Sequence, residues 1–155
     1  MHVHRVLEPI EAVSYWPFFR EGLEVIAKKT GEIVDEDAYS KQLVNLTAMH
    51  EQAWVSFVID NDGLPCAFGV AQDATPLFST RKAFTVTSFY YRDGFQEAVE
   101  MLQQAFERWA KTQGVVQYSV TTRRDTGAAI RCFSSGRFGF RRTAITFEKQ
   151  LSHGL

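Results

Sequence analysis

Six arginines fall between positions 123 and 142: Arg123, Arg124, Arg131, Arg137, Arg141 and Arg142, with Asp125 as the lone acid among them. A guanidinium stays charged at any physiological pH and presents several donors in a planar fork. Such a cluster forms either a solvated basic face or a site for an anion such as a phosphate. Between 31 and 62 the sign reverses, with Glu32, Asp35, Glu36, Asp37, Glu51, Asp60 and Asp62 against Lys41. The two halves nearly cancel to a net charge of −1. No uniform field advertises nucleic acid or a membrane surface. Cys66 and Cys132 lie far apart and lack metal-ligand spacing, so they read as reduced thiols of a cytoplasmic protein rather than a disulfide framework. His2 and His4 are spaced as strand neighbours, but two imidazoles alone make no metal site. Glu51 and Asp60 could each take a proton from an amine, or simply be exposed acids at a helix end and a turn.

These residues need a scaffold. The 155 residues amount to one domain, 1–155, and a hydrophobic content of 45% with 23% charged is that of a globular chain. Thirteen phenylalanines suggest a well-filled aromatic core. The first twenty residues carry charges throughout and form no signal peptide. No apolar run reaches membrane length.

Residues 3–7 suit a short strand. Residues 14–29 suit a helix, with Ser14 as N-cap, Gly31 after its end, and Phe18, Phe19, Leu23, Ile26 and Ala27 on one face. A second helix over 35–51 has acids in its first turn and turns Ala38, Leu43, Leu46 and Met49 inward. The period then changes. Strands over 54–60 and 65–72 flank the turn Asn61-Asp62-Gly63. A third strand covers 82–90. The clearest helix covers 95–111, with Phe95, Ala98, Val99, Leu102, Ala105, Phe106 and Trp109 on one side. A buried strand over 115–121, a short helix over 125–133 and a last strand over 143–151 complete the chain. The strand–helix–strand unit from 82 to 121 requires parallel pairing. Asp125-Thr126-Gly127 has the tripeptide of aspartic proteases, but it caps a helix here and not a loop between strands.

That order of elements resembles the GCN5-related N-acetyltransferase (GNAT) family, over nearly the whole chain. Three local stretches are similar as well. Asn61-Asp62-Gly63 with Pro65-Cys66-Ala67-Phe68-Gly69 is similar to the family's glycine hairpin. Tyr91-Arg92-Asp93-Gly94 stands where the family has its pyrophosphate loop, and residues 128–133 with Phe138-Gly139-Phe140 are similar to its closing motif. The resemblance implies an α/β domain of the acyl-CoA N-acyltransferase fold, a mixed central sheet flanked by helices. It implies acetyl-CoA as cofactor and an amine-bearing small molecule or protein as acceptor, with no membrane or nucleic-acid partner, and it allows a homodimer.

On that resemblance Phe89, Tyr91, Arg92, Asp93, Gly94, Phe95, Gln96 and Arg131 hold the cofactor, its pantetheine arm entering between the strands 84–90 and 115–121. A backbone N–H of the first of these strands polarises the thioester. The chain departs from the family pattern in two ways. Its loop, Arg92-Asp93-Gly94-Phe95-Gln96-Glu97, has one glycine and two acids. Phe133 stands where the family often has a proton-donating tyrosine, which leaves Ser134, Ser135 or Tyr90 to hydrogen-bond the departing thiolate. These departures define the alternative, a non-catalytic GNAT-fold binding or assembly protein, a setting in which such compact domains occur in bacteriophages.

Overall fold

The computed structural model describes residues 1–120, with Phe133, residues 139–141 and Lys149. The chain divides into two compact units, Met1–Thr121 and Thr122–Leu155. In the first unit the elements run β1 (His2–Arg5), α1 (Pro9–Thr30), α2 (Glu36–Ala48), β2 (Ala53–Ile59), β3 (Pro65–Asp73), β4 (Lys82–Tyr91), α3 (Glu97–Thr112) and β5 (Val115–Val120). Apart from Phe133 and Lys149, the helix expected over 125–133 and the strand over 143–151 lie outside the described residues. In the second unit the rings of Phe133 and Phe140 meet edge to face at 5.1 Å.

Most elements stand where the hydrophobic period puts them. The start of α1 differs. It begins at Pro9, five residues before Ser14, because proline's fixed φ suits the first helical position and its missing N–H is one of the helix's unpaired donors anyway. Ser14 lies inside the first turns and its hydroxyl donates to the Ile10 carbonyl at 3.5 Å. The helix ends as expected at Gly31, whose φ of 72° only glycine adopts at low cost. In α2 the Asp35 carboxylate caps the N–H of Ala38 at 3.0 Å. Leu43 and Leu46 are buried, whereas Ala38 and Met49 are exposed. Ala38 sits in the opening turn and Met49 is the cap beyond a helix that stops at Ala48.

The five strands form one sheet in the order β1-β2-β3-β4-β5. The first three pairings are antiparallel and the last, β4 with β5, is parallel, with α3 as the connection between them. The β2–β3 turn is held by the Asp60 carboxylate, which accepts the N–H groups of Asp62 and Leu64 at 2.8 and 2.9 Å. Every residue of β2 is buried, so this strand is the middle of a three-layer sandwich. On one face α1 and α2 cover Phe57, Phe68 and Val70 with Phe18, Phe19, Leu23 and Leu43. On the other α3 covers Trp54, Val58, Ala67 and Phe84 with Leu102 and Phe106. Gly22 lets α1 approach closely: a Cβ there would stand 2.5 Å from Phe68 Cε1 and 2.8 Å from Tyr90 Cγ. No helix among the described residues is long and apolar enough to cross a membrane.

Candidate functional site

The candidate site is built on the C-terminal half of β4. Val70 of β3 faces Ser88 and Ala71 faces Val86, so Thr87 is an extra residue, a β-bulge. Its hydroxyl donates to the Val70 carbonyl at 3.4 Å and accepts from Gln72 Nε2 at 3.3 Å, which pins the bulge. The described β4–β5 pairing ends one residue earlier, at Val86 with Val120. From the bulge onward the described partner of β4 is β3 alone. The bulge thus kinks β4 beside the carboxyl end of β5, the end of a parallel pair at which ligands bind.

The strand then turns into α3. The Arg92 N–H donates to the Cys66 carbonyl at 3.0 Å and the Phe95 N–H to the Arg92 carbonyl at 3.1 Å. Gly94 has φ of 89° with open space around its missing Cβ, so backbone conformation and not crowding calls for glycine. Gln96 caps α3 without using its side chain. Among the described residues the N–H groups of Asp93, Gly94, Gln96 and Glu97 find no acceptor. Free amides at the positive end of a helix dipole suit a phosphate. The exposed carboxylates of Asp93 and Glu97 oppose one, at a distance screened by solvent.

Arg92 does not point freely to solvent. Its Nε and one terminal nitrogen donate to the two oxygens of Glu21 on α1, at 2.8 and 2.6 Å. The other terminal nitrogen donates to the Pro65 carbonyl at 3.3 Å. The guanidinium carbon lies 4.8 Å from the centre of the Phe18 ring. Tyr90 donates its hydroxyl to Glu21 at 3.1 Å. Hydrogen bonding to Arg92 holds the Glu21 carboxyl below the usual glutamate range and in return holds Arg92 firmly protonated. Burial and the Glu21 carboxylate push the Tyr90 phenol up, so it keeps its proton at neutral pH. Tyr90 packs with Phe18 and Phe68 on the α1 side, and Tyr91 packs on the α3 side.

Of the residues singled out in the sequence, Tyr90, Tyr91, Arg92, Asp93, Gly94, Phe95 and Gln96 share this one corner, and Phe89 stands beside it, opposite Gly69 in the β3–β4 register. Phe95 is half-buried against the α3-side core. Arg131, Ser134 and Ser135 lie outside the described residues. Asp60 is occupied by its own hairpin and Glu51 lies exposed in the turn after α2. Cys66 is fully buried, its thiol pushed up chiefly by burial. Sequence reasoning missed Glu21. The available signal was an acid beside Phe18, Gly22 and Leu23 on the buried stripe of α1.

No family model and no curated protein matches the sequence. Solved structures do. The BH1408 protein of Bacillus halodurans, in its tetramutant form, superposes with a TM-score of 0.78 at 16% identity over 97% of this chain and 100% of that one. A probable acetyltransferase gives 0.73 at 14% identity, over 99% of each chain. A ribosomal-protein-alanine N-acetyltransferase from Brucella melitensis biovar Abortus 2308 gives 0.67 at 12% identity, over 99% of this chain and 100% of that one. The fold is that of the GNAT-type acetyltransferases. Within it, the bulge at Thr87 and the turn at Gly94 occupy neighbouring positions on the strand and loop described above.

Proposed function

We propose that this chain transfers an acetyl group from acetyl-CoA to an amine of a small molecule or a protein. The observation that carries the reading is the coincidence, at one end of β4, of a bulge and a glycine turn leading into a helix with free N–H groups. The likeness of fold to named acetyltransferases supports it.

In this reading the cofactor supplies an activated thioester. The loop 92–97 would hold its pyrophosphate through the backbone N–H groups of Asp93, Gly94, Gln96 and Glu97, with Phe89 and Tyr91 beside the pantetheine arm and Arg131 as a further cation. Arg92 acts by anchoring the loop to α1 and not as a direct phosphate ligand, because its donors are already engaged. A backbone N–H near Thr87 would polarise the thioester carbonyl, a role independent of side-chain type. The acceptor nitrogen forms the new C–N bond and the C–S bond breaks. The amine proton leaves through water, since Glu21 is held too acidic by Arg92 to be an effective base at neutral pH. The thiolate would be stabilised by a hydrogen bond from Ser134 or Ser135, because the Tyr90 hydroxyl already donates to Glu21. A thiol has a pKa near roughly 8.5, so it can leave without a strong acid.

The engaged Arg92 and the two acids of the loop favour a second reading, a scaffold that does not bind the cofactor. Calorimetry with acetyl-CoA separates the two. Saturable heat, together with release of free CoA thiol on adding amines or peptides with free N-termini, supports the transferase. Absence of both leaves the scaffold.

A further inference from the structure

A depression opens between β1–β2 and α3, on the face of the sheet opposite α1 and α2. It encloses about 310 Å³, at the lower end of the range for small-molecule sites. Arg5, Trp54, Ser56, Met101, Arg108 and Trp109 line it, and none of its lining residues is acidic. It shares no residue with the β4 corner.

Two polar groups in its floor lack partners. Ser56 is fully buried within an otherwise apolar strand, and its hydroxyl has no hydrogen bond. Arg5 is its cross-strand partner, and the buried Nε of Arg5 also has none. Buried donors left unmade are rare and disfavour the fold that contains them. The Arg5 guanidinium lies 4.6 Å from the centre of the Trp109 ring and sends one terminal nitrogen to the His50 carbonyl at 2.7 Å. Burial disfavours its charge, and no carboxylate offsets this. Arg108, exposed on α3, has no ion pair or hydrogen bond among the described residues. Two guanidiniums without counter-ions, a spare hydroxyl and two indole walls thus meet in one cavity. A carboxylate would answer the first two, and a flat apolar body would pack against the lining indoles.

We propose that this cavity binds a small aromatic carboxylate, its anion held by Arg108 and Arg5 with Ser56, its ring against Trp54 and Trp109. The Arg5 Nε and the Ser56 hydroxyl belong to residues of the lining and are themselves buried. Met101, the most adaptable of the lining side chains, is the one that yields to admit the ligand.

The chain's three tryptophans make the test site-specific, because Trp16 lies on α1 and packs against the other core. Phenylacetate is titrated against isotope-labelled protein while the three indole N–H resonances are followed, and phenylacetamide serves as the uncharged control. The expected result is saturable movement of Trp54 and Trp109 with Trp16 unmoved, about tenfold weaker binding of the amide, and a similar loss in Arg108→Gln. Arg108 is exposed, so that variant keeps its fold, which unchanged Trp16 and melting temperature verify. No saturable shift by roughly 10 mM phenylacetate, equal binding of the amide, or full affinity in Arg108→Gln would each overturn the proposal.

Discussion

The Arg92 guanidinium grips the Glu21 carboxylate through two hydrogen bonds of 2.6 and 2.8 Å, tying the loop after β4 to the fourth turn of α1. Both side chains are about two-fifths exposed, so water screens the pair. Its contribution is expected to be about 1 kcal/mol or less. The Glu21 carboxyl is held below its ordinary value, so the contribution is complete above the unfolded glutamate pKa, near roughly 4.3, and is lost as pH falls through the lower folded value. Glu21→Gln should therefore melt below the wild type at neutral pH, and the difference should close in acid. Thermal melts of both proteins from neutral to acid pH check this.

Gly22→Ala should be costly despite alanine's better helix propensity. Its new methyl would stand 2.5 Å from the fully buried Phe68 ring. Overpacking of this kind costs roughly 1–3 kcal/mol. Urea unfolding should show a lower midpoint with little change in slope.

Gly94→Val meets no atom, yet forces a β-branched residue to φ of 89°. A cost of roughly 1–3 kcal/mol is expected at the turn. Because the turn presents the N–H groups assigned to phosphate, acetyl-CoA affinity should fall several-fold more than global stability predicts. Calorimetry alongside a melt separates the two effects.

Ser56→Ala should be neutral or stabilising in the ligand-free protein, by up to about 1 kcal/mol, since it removes a buried hydroxyl that makes no hydrogen bond. Ser56→Val, which adds volume to a fully buried position, should not share the gain. Chemical denaturation of the two variants compares them directly.

The parts of this fold that sequence reveals are those governed by local period. The short apolar runs of β2 and β3, the glycine turn between them and the apolar stripe of α3 all follow from residues a few positions apart. The helix start at Pro9 was not legible in that way, because Ser14 has the chemistry of a cap and its backbone position decides otherwise. Glu21 and Arg92 stand 71 positions apart. Their pairing depends on how closely Gly22 lets α1 approach β4, which no local pattern encodes. The Thr87 bulge was hidden likewise, since one extra residue in a strand leaves its composition unchanged. Arg92 and Gly94 were legible as loop residues, but the division of labour between them was not: glycine shapes the turn, while arginine fastens it.

β1 is four residues long and forms one border of the sheet among the described residues, carrying His2, His4 and Arg5. A border strand has unpaired backbone groups that could recruit a strand from another molecule. Here the available length is short, and the Arg5 side chain is drawn inward over Trp109. A newcomer would find few rungs to add to, beside a strand buried along its whole length that has no pairing left to give. The short strand that lends Val3 and Arg5 to the cavity therefore also offers little backbone for edge-to-edge association.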